Sequence, residues 1–308
     1  MLNKCFKVKV PATSANMGPG FDSLGIAFQL FNEYIFSEIE SGLEFVGVED
    51  EFANEDNIIL KAMQKVFKDY NYNYTGLRIE IINCSIPVSR GLGSSSSCIV
   101  AGLIGAFAIM GKEIEKDEIL KYAVEIEGHP DNVCPAIFGG MVVAIMEKEK
   151  PIFNKINIVS GVKFIALIPR FKLSTEKARA ILPKSILLKD AVYNVGRAAL
   201  VASIFANGNY SLLEYAMKDK FHQEHRGKLI EGYDSLTKKS MEIGALACFL
   251  SGAGPTIMAV VESDDNIFED KIKSFIKENK LKYEVRELTI EENGATYLEV
   301  DKGWKMII

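Results

Sequence analysis

At 308 residues the chain is long enough for one large domain or two ordinary ones. Hydrophobic residues make up 48% and charged residues 25%, a globular balance that can fill a core. The net charge of −5 comes without any basic stripe, which argues against DNA or RNA as a partner but leaves room for a small anionic ligand at a local site.

Cys5, Cys84, Cys98, Cys134 and Cys248 are odd in number, scattered, and form no CxxC pair. Free thiols in a reducing compartment are the expectation, not a disulfide framework or zinc ribbon. The opening MLNKCFKVKVPATSANMGPG has no apolar signal-peptide core, and the longest apolar run, residues 98–110, is too short to cross a bilayer. A cytoplasmic location without membrane contact is expected.

In chain order, residues 6–10 alternate and read as a strand, followed by strands at 25–39 and 43–48. Residues 57–70 carry helical spacing through Ile58, Ile59, Ala62, Val66 and Phe67, with Asp56 expected as the N-cap. Residues 77–82 alternate as a strand, 83–93 form a loop, and 94–110 and 117–128 are helical. Residues 139–147 read as a strand. The charged stretch 147–155 with Pro151 is the expected domain boundary. Beyond it, strands are expected at 163–168, 248–251, 256–261 and 282–288, and helices at 175–182, 191–206, 211–219, 229–243 and 267–279. Strands do not alternate strictly with helices, so the class is α+β and not a doubly wound parallel sheet.

Two loops stand out. PVSRGLGSSSS, residues 87–97, lacks the third glycine and the acidic residue of a dinucleotide fingerprint, and no lysine follows it as a Walker loop requires. Gly91 and Gly93 nevertheless permit close backbone approach, and the following helix offers unpaired N–H groups at the positive end of its dipole. A phosphate cradle and a plain serine cap on a core helix are evenly matched on this loop alone. PATSANMGPGFDSLG, residues 11–25, holds Ser14, Asn16 and Asp22 among glycines and prolines. On its own, a turn is the better reading.

Taken with LSGAGPT at 250–256, the two loops resemble the three-motif signature of the superfamily of galactokinase, homoserine kinase, mevalonate kinase and phosphomevalonate kinase, in matching order and spacing over nearly the whole chain. The closer resemblance is to the homoserine kinase family, through SANMGPGFDSLG, EGHPDNVCPAIFGG (127–140), STEKARAILP (174–183) and FHQEHRGKL (221–229). Many relatives have glycine where this chain has Ser89, and alanine where it has Ser96. The resemblance implies an N-terminal ATP-binding domain, residues 1–155, like the second domain of ribosomal protein S5. It implies a ferredoxin-like C-terminal domain, residues 156–308, that completes the substrate site. It also implies ATP, Mg2+ and L-homoserine as ligands, O-phospho-L-homoserine as product on the way to threonine, and, from relatives, a homodimer.

Site roles follow from the resemblance, position by position. Pro87, Val88, Ser89, Arg90, Gly91, Leu92, Gly93, Ser94, Ser95, Ser96 and Ser97 are assigned to the nucleotide phosphates, and Asn57 to the adenine end. Ser95 and Glu125 would hold Mg2+, an ion that takes few protein oxygens. Asp22 would pair with the substrate ammonium, and Arg179 and Arg226 with its carboxylate, for which guanidinium offers a planar fork. Asn16 and Asn132 would touch the reacting hydroxyl, and Asp131 and His129 would shape the site. Phosphoryl transfer runs through a loose transition state, so alignment and charge neutralisation can serve without a dedicated base. SGAGP reads as a tight turn packed beside the phosphate loop, a role a plain hairpin turn also fits.

Overall fold

The computed structural model describes residues 4–300 and 304–306. Residues 1–3, with which the expected N-terminal domain begins, and the last residues of the expected C-terminal domain lie outside that range. The strands are β1 (Cys5–Ala15), β2 (Leu24–Glu38), β3 (Gly42–Val46), β4 (Gly76–Cys84), β5 (Met141–Glu147), β6 (Lys150–Ile156), β7 (Val162–Pro169), β8 (Ala247–Leu250), β9 (Ile257–Glu262), β10 (Tyr283–Leu288), β11 (Thr296–Glu299) and β12 (Trp304–Met306). The helices are α1 (Ile58–Asp69), α2 (Ser94–Ile109), α3 (Lys116–Glu127), α4 (Pro130–Phe138), α5 (Thr175–Ala180), α6 (Leu188–Asn207), α7 (Leu213–Ala216), α8 (Gln223–Arg226), α9 (Tyr233–Glu242) and α10 (Phe268–Glu278).

Two sheets organise the chain, as the α+β reading expects. The first runs β12-β11-β1-β2-β4-β3, with the β5–β6 hairpin joined to β2. Its apolar face packs on α1 to α4 around Phe36, Ile79, Leu103 and Phe107. The second is antiparallel in the order β10-β7-β9-β8, covered by α9 and α10 through Leu236, Ile257, Phe268 and Ile272. A third core of Phe28, Phe164, Phe205, Phe249 and Met258 fills the space between the two. Among the described residues no helix is long and apolar enough to cross a membrane. All five cysteines are free thiols.

Several expected elements move. The first strand does not stop at Val10. It runs through the motif to Ala15, absorbing Pro11 with a register shift between Pro11 and Ala12. Most of the charged stretch 147–155, expected as the domain boundary, lies in β6, whose whole length pairs with β5. The helix expected from residue 57 starts one residue later, because Asn57 and not Asp56 is the cap: its side chain accepts from the Ile59 and Leu60 N–H groups. Asp56 instead meets Lys61 at 2.6 Å. The helix expected at 211–219 ends at Ala216, because Asp219 turns to accept the N–H groups of Phe221, His222 and Gln223.

α4 was not expected. Pro130 fits the first helical turn, where its missing N–H costs nothing. Pro135 leaves the Asp131 carbonyl without its helical partner, and Gly25 of β2 comes so close to that oxygen that a Cβ would strike it. The linear division at 155/156 is also incomplete. β11 returns to pair with β1, and the segment before it is tied to the first sheet by bonds from Glu291 N–H to the Ala27 carbonyl and from Ala295 N–H to the Ala136 carbonyl.

Candidate active site

A cleft of about 710 Å³ opens where the ends of β1, β2 and α2 meet α5, α8 and the β8–β9 turn. One end carries Val48, Phe52, Ile58, Ile81 and Cys84, with the acidic Glu49, Glu51 and Asp56 among them. The other is polar, lined by Asn16, Asp22, His129, Asp131, Asn132, Arg179 and Arg226. The serine-glycine loop lies between them.

Backbone contacts weld the three sequence loops together. Thr13 N–H donates to the Leu92 carbonyl at 3.1 Å, Thr256 N–H to the Arg90 carbonyl at 3.2 Å, and Gly252 N–H to the Ala15 carbonyl at 3.0 Å. The Ser251 hydroxyl adds bonds to the Gly91 carbonyl at 2.5 Å and to Ser14 Oγ at 2.7 Å. Gly91 and Gly93 both have positive φ, and a Cβ at either would strike a neighbouring loop: the Ser251 carbonyl for Gly91, the Thr13 hydroxyl for Gly93. Gly93 is the N-cap of α2, with no side chain to close the end, so the first-turn N–H groups of this buried helix open onto the cleft. Val88, Ser89, Arg90, Ser94, Ser95 and Ser96 line it. Two residues assigned to the phosphates point elsewhere. Leu92 is buried in the core between the sheets, and Ser97 is buried with its hydroxyl 2.9 Å from that of Tyr34. Pro87 does not line the cleft either.

The assignment of Glu125 is corrected. Its carboxylate lies 2.8 Å from Lys65 Nζ, on the outer seam between α1 and α3, and does not border the cleft. The acid beside the loop is Glu127, whose Oε1 accepts from Ser96 Oγ at 3.0 Å, with Oε2 3.4 Å from Ser95 Oγ. Burial raises the pKa of Glu127, against the pull of nearby His129 and the Ser96 bond. The helical repeat carries the signal that distinguishes them. Leu120, Ala123 and Val124 form the buried stripe of α3, and Glu127 continues it while Glu125 does not.

At the polar end, Asn16 does not reach for a hydroxyl. Its Nδ2 donates to the Gly252 carbonyl at 2.9 Å and its Oδ1 accepts from Asp22 N–H at 2.9 Å. Asn16, Met17 and Asp22 all hold positive φ, a strained set clamped by these bonds. Asp22 pairs with Arg179 at 2.9 Å. Asn132 Oδ1 accepts the Thr13 hydroxyl at 2.9 Å, which orients its amide nitrogen. His129 Nδ1 lies 2.6 Å from Asp131 Oδ1. Burial alone would lower the histidine pKa, but the Asp131 bond and charge outweigh it and the net shift is upward. Asn57 borders the cleft, yet its side chain is spent on the α1 cap and on the Phe52 carbonyl.

Arg226 is the most buried cation here, 1% exposed. Its Nε donates to the Ala178 carbonyl at 3.0 Å and its Nη1 to the Gly252 carbonyl at 3.1 Å, with His222 Nδ1 at 3.3 Å. Among the described residues it makes no salt bridge. Burial, then the charge of Arg179, lowers its pKa to about 10. Phe21, which sequence reasoning passed over, lies against both arginines, at 5.7 Å from Arg179 and 5.3 Å from Arg226. Thr13 was also passed over; it lies in the 11–25 stretch that read as a turn, and only the extension of β1 to Ala15 sets it beside Asn132.

Fold and cleft together define a two-sheet α+β protein with a glycine-serine loop at a helix N-terminus beside a pocket of acidic, amide and guanidinium side chains. Residues 57–140 match the model for the N-terminal domain of GHMP kinases, and residues 198–278 the model for their C-terminal domain. A homoserine kinase from Clostridium beijerinckii is 56% identical over 96% of this chain and 99% of its own, and one from Clostridium botulinum is 52% identical over 94% and 97%. A homoserine kinase structure from Cytophaga hutchinsonii superposes with a TM-score of 0.86 at 26% identity, covering 97% of this chain and 98% of that one. A mevalonate kinase of L. major shares the fold, with a TM-score of 0.71 at 17% identity over 94% and 96%. The chain belongs to the homoserine kinase family of the GHMP kinases.

Proposed function

We propose that this chain transfers the γ-phosphoryl group of ATP to the side-chain hydroxyl of L-homoserine, releasing ADP and O-phospho-L-homoserine. The observation that carries the reading is the buried, unpaired Arg226 across from Asp22, in a cleft whose neighbouring wall is the phosphate loop. A buried cation without a counter-ion is costly, and a bound carboxylate would relieve that cost. In the free protein Asp22 and Arg179 satisfy each other. A zwitterion inserts between them, its ammonium taking Asp22 and its carboxylate taking Arg179 and Arg226.

The substrate oxygen attacks the γ-phosphorus as the bond to the β-phosphate oxygen breaks and ADP leaves, and the hydroxyl proton passes to an oxygen of the transferred phosphoryl group and from there to solvent. The α2 N-terminus and the Ser94, Ser95 and Ser96 groups neutralise the phosphates. Asn132, fixed by Thr13, orients the hydroxyl. His129 and Asp131 stabilise charge around it, and alignment supplies the catalysis with no dedicated base. Ser95 and Glu127 suit Mg2+: a hydroxyl beside a buried carboxylate that makes no salt bridge among the described residues is a hard-oxygen pair. When bound, the ion would shield phosphate charge. The strand order β10-β7-β9-β8 with crossing helices supports a ferredoxin-like second domain, and the first sheet with α1 to α4 supports an S5 domain 2-like first domain.

ADP release with L-homoserine against mevalonate, galactose and two homoserine analogues, one without the carboxylate and one without the ammonium, tests the reading. L-Homoserine is expected to turn over and both analogues to lose at least tenfold in kcat/KM; equal turnover of the analogues overturns it.

A further inference from the structure

Arg90 belongs to the phosphate loop and borders the cleft, yet its guanidinium is spent on backbone. Its Nη1 donates to the Val88 carbonyl at 2.8 Å, within the loop. Its Nε donates to the Pro169 carbonyl at 2.8 Å and its Nη2 to the Arg170 carbonyl at 2.5 Å, where the chain leaves β7 for α5. Among the described residues it makes no salt bridge. A guanidinium carries its donors in a rigid planar fork, so one side chain holds carbonyls of two separate segments; an ammonium, a point charge on a flexible stem, has no such fork. A backbone bond closes the same joint: Leu173 N–H donates to the Ser89 carbonyl at 3.1 Å.

On the far side of the joint lies α5. It is 6 residues long, and within it Ala178 alone is buried. So short a helix with so little burial has low stability of its own and is held from its ends. At its start Ser174 accepts the Lys177 N–H at 3.2 Å, and Leu173 packs with Ala178, Ile230 and Leu250. Toward its end the Ala178 carbonyl accepts Arg226 Nε at 3.0 Å, and Arg179 meets Asp22 at 2.9 Å. One small helix is thus joined to the phosphate loop upstream and bears on both substrate arginines downstream.

We propose that Arg90 is a positioning residue that links the two ligand sites: an occupied phosphate loop, acting through Arg90 and residues 169–173, fixes α5 and with it Arg179 and Arg226. The proposal rests on the reading of the cleft as a site for ATP and L-homoserine. Phosphate held by the loop orders the joint and so orders α5 in advance. L-Homoserine then meets a smaller ordering cost, which makes the coupling positive. By linkage the effect is reciprocal. Arg90 serves substrate affinity without touching substrate.

Calorimetry on the full chain, titrating ADP and L-homoserine each with and without the other at saturation, measures the coupling. In the unsubstituted chain ADP should tighten L-homoserine binding about fivefold or more, and L-homoserine should tighten ADP by the same factor. In Arg90→Met, which keeps the reach but not the donors, the factor should fall below about twofold, and KM for L-homoserine should rise more than KM for ATP. Arg90→Lys keeps the charge and loses the fork, so its factor should fall likewise; it decides alone if circular dichroism shows Arg90→Met unfolded. A direct phosphate ligand behaves otherwise: Arg90→Met would weaken ADP binding without L-homoserine, Arg90→Lys would restore it, and the coupling factor would stand. That pattern, a factor near one in the unsubstituted chain, or a factor that survives the substitutions overturns the proposal. ADP release with L-homoserine by the unsubstituted chain keeps the two readings apart. Turnover without coupling removes the Arg90 link alone, and no turnover removes the site reading beneath it.

Discussion

Glu125 and Glu127 stand two places apart on α3 and serve different neighbours. Glu127→Gln keeps the shape beside Ser95 and Ser96 but removes the charge, so Mg2+-dependent ADP release should fall about 100-fold or more. Glu125→Gln breaks only a partly exposed pair with Lys65. It should leave turnover within about twofold and shift stability by at most ~1 kcal/mol, read from denaturant midpoints. The reverse ranking would return the metal to Glu125. His222 is a second case. Its Nε2 lies 2.8 Å from the Gly18 carbonyl, so Nε2 donates and Nδ1 is left to accept from Arg226. This requires a neutral ring. Burial lowers its pKa below the ordinary 6.5, and the charge of Arg226 adds to that, against the opposing pull of Asp219 and Asp22. A depressed histidine contributes stability that is whole above 6.5 and is lost as pH falls toward the folded value. Stability should therefore drop on acidification below 6.5, and less steeply in His222→Ala. That variant should also raise KM for L-homoserine about tenfold while KM for ATP holds, since one acceptor of Arg226 is gone. A parallel rise in both constants would reduce His222 to simple packing.

At the scale of elements, the phosphate loop owes its shape to the turn that closes β8 and β9 as much as to its own glycines. Gly91→Ala and Gly42→Ala both place a Cβ at positive φ, but only at Gly91 does that Cβ meet a carbonyl; at Gly42 it meets open space. Gly42→Ala should cost about 1 kcal/mol in thermal or denaturant unfolding. Gly91→Ala should cost a further 1–3 kcal/mol or so and should cut ADP affinity in calorimetry, because the loop must leave Ser251. Equal costs at the two sites would mean the loops move independently. Elements with a strong local period were legible in the sequence: α1, α3, α10 and the alternating β4. α4 was not, because its prolines speak against a helix, which the packing of seven buried residues sustains. Nor was the choice of Asn57 over Asp56, where both residues can cap and only the approach of Phe52 decides. Within the site, the loops and the two arginines came into view through the family resemblance; read alone, the phosphate loop was an even contest with a capped helix and the first loop read as a turn. Side-chain direction was not: Leu92 and Ser97 share the loop yet face the core.

For the molecule as a whole, the linear division into halves fails at one place, the segment after β10. Gly140 N–H donates to the Glu291 carbonyl at 2.6 Å, Ala295 N–H bonds α4, and β11 covers the outer edge of β1. A chain ended after Leu288 should lose these bonds together, expose the β1 edge, and show no cooperative unfolding transition and no L-homoserine-dependent ADP release. A stable, active truncated chain would show the strand to be ornamental.

The pairing of β1 with β11 also has a consequence for how the molecule is made. In synthesis β1 is made long before its outer partner, because Phe6–Lys9 pair with Thr296–Glu299. Throughout synthesis the strand bearing Thr13 and Ser14 carries an open edge, able to pair with whatever extended chain it meets. Until β11 is made, the edge of β1 at Phe6–Lys9 is open to such pairing, so the first sheet is completed only after the strands of the second have been synthesised.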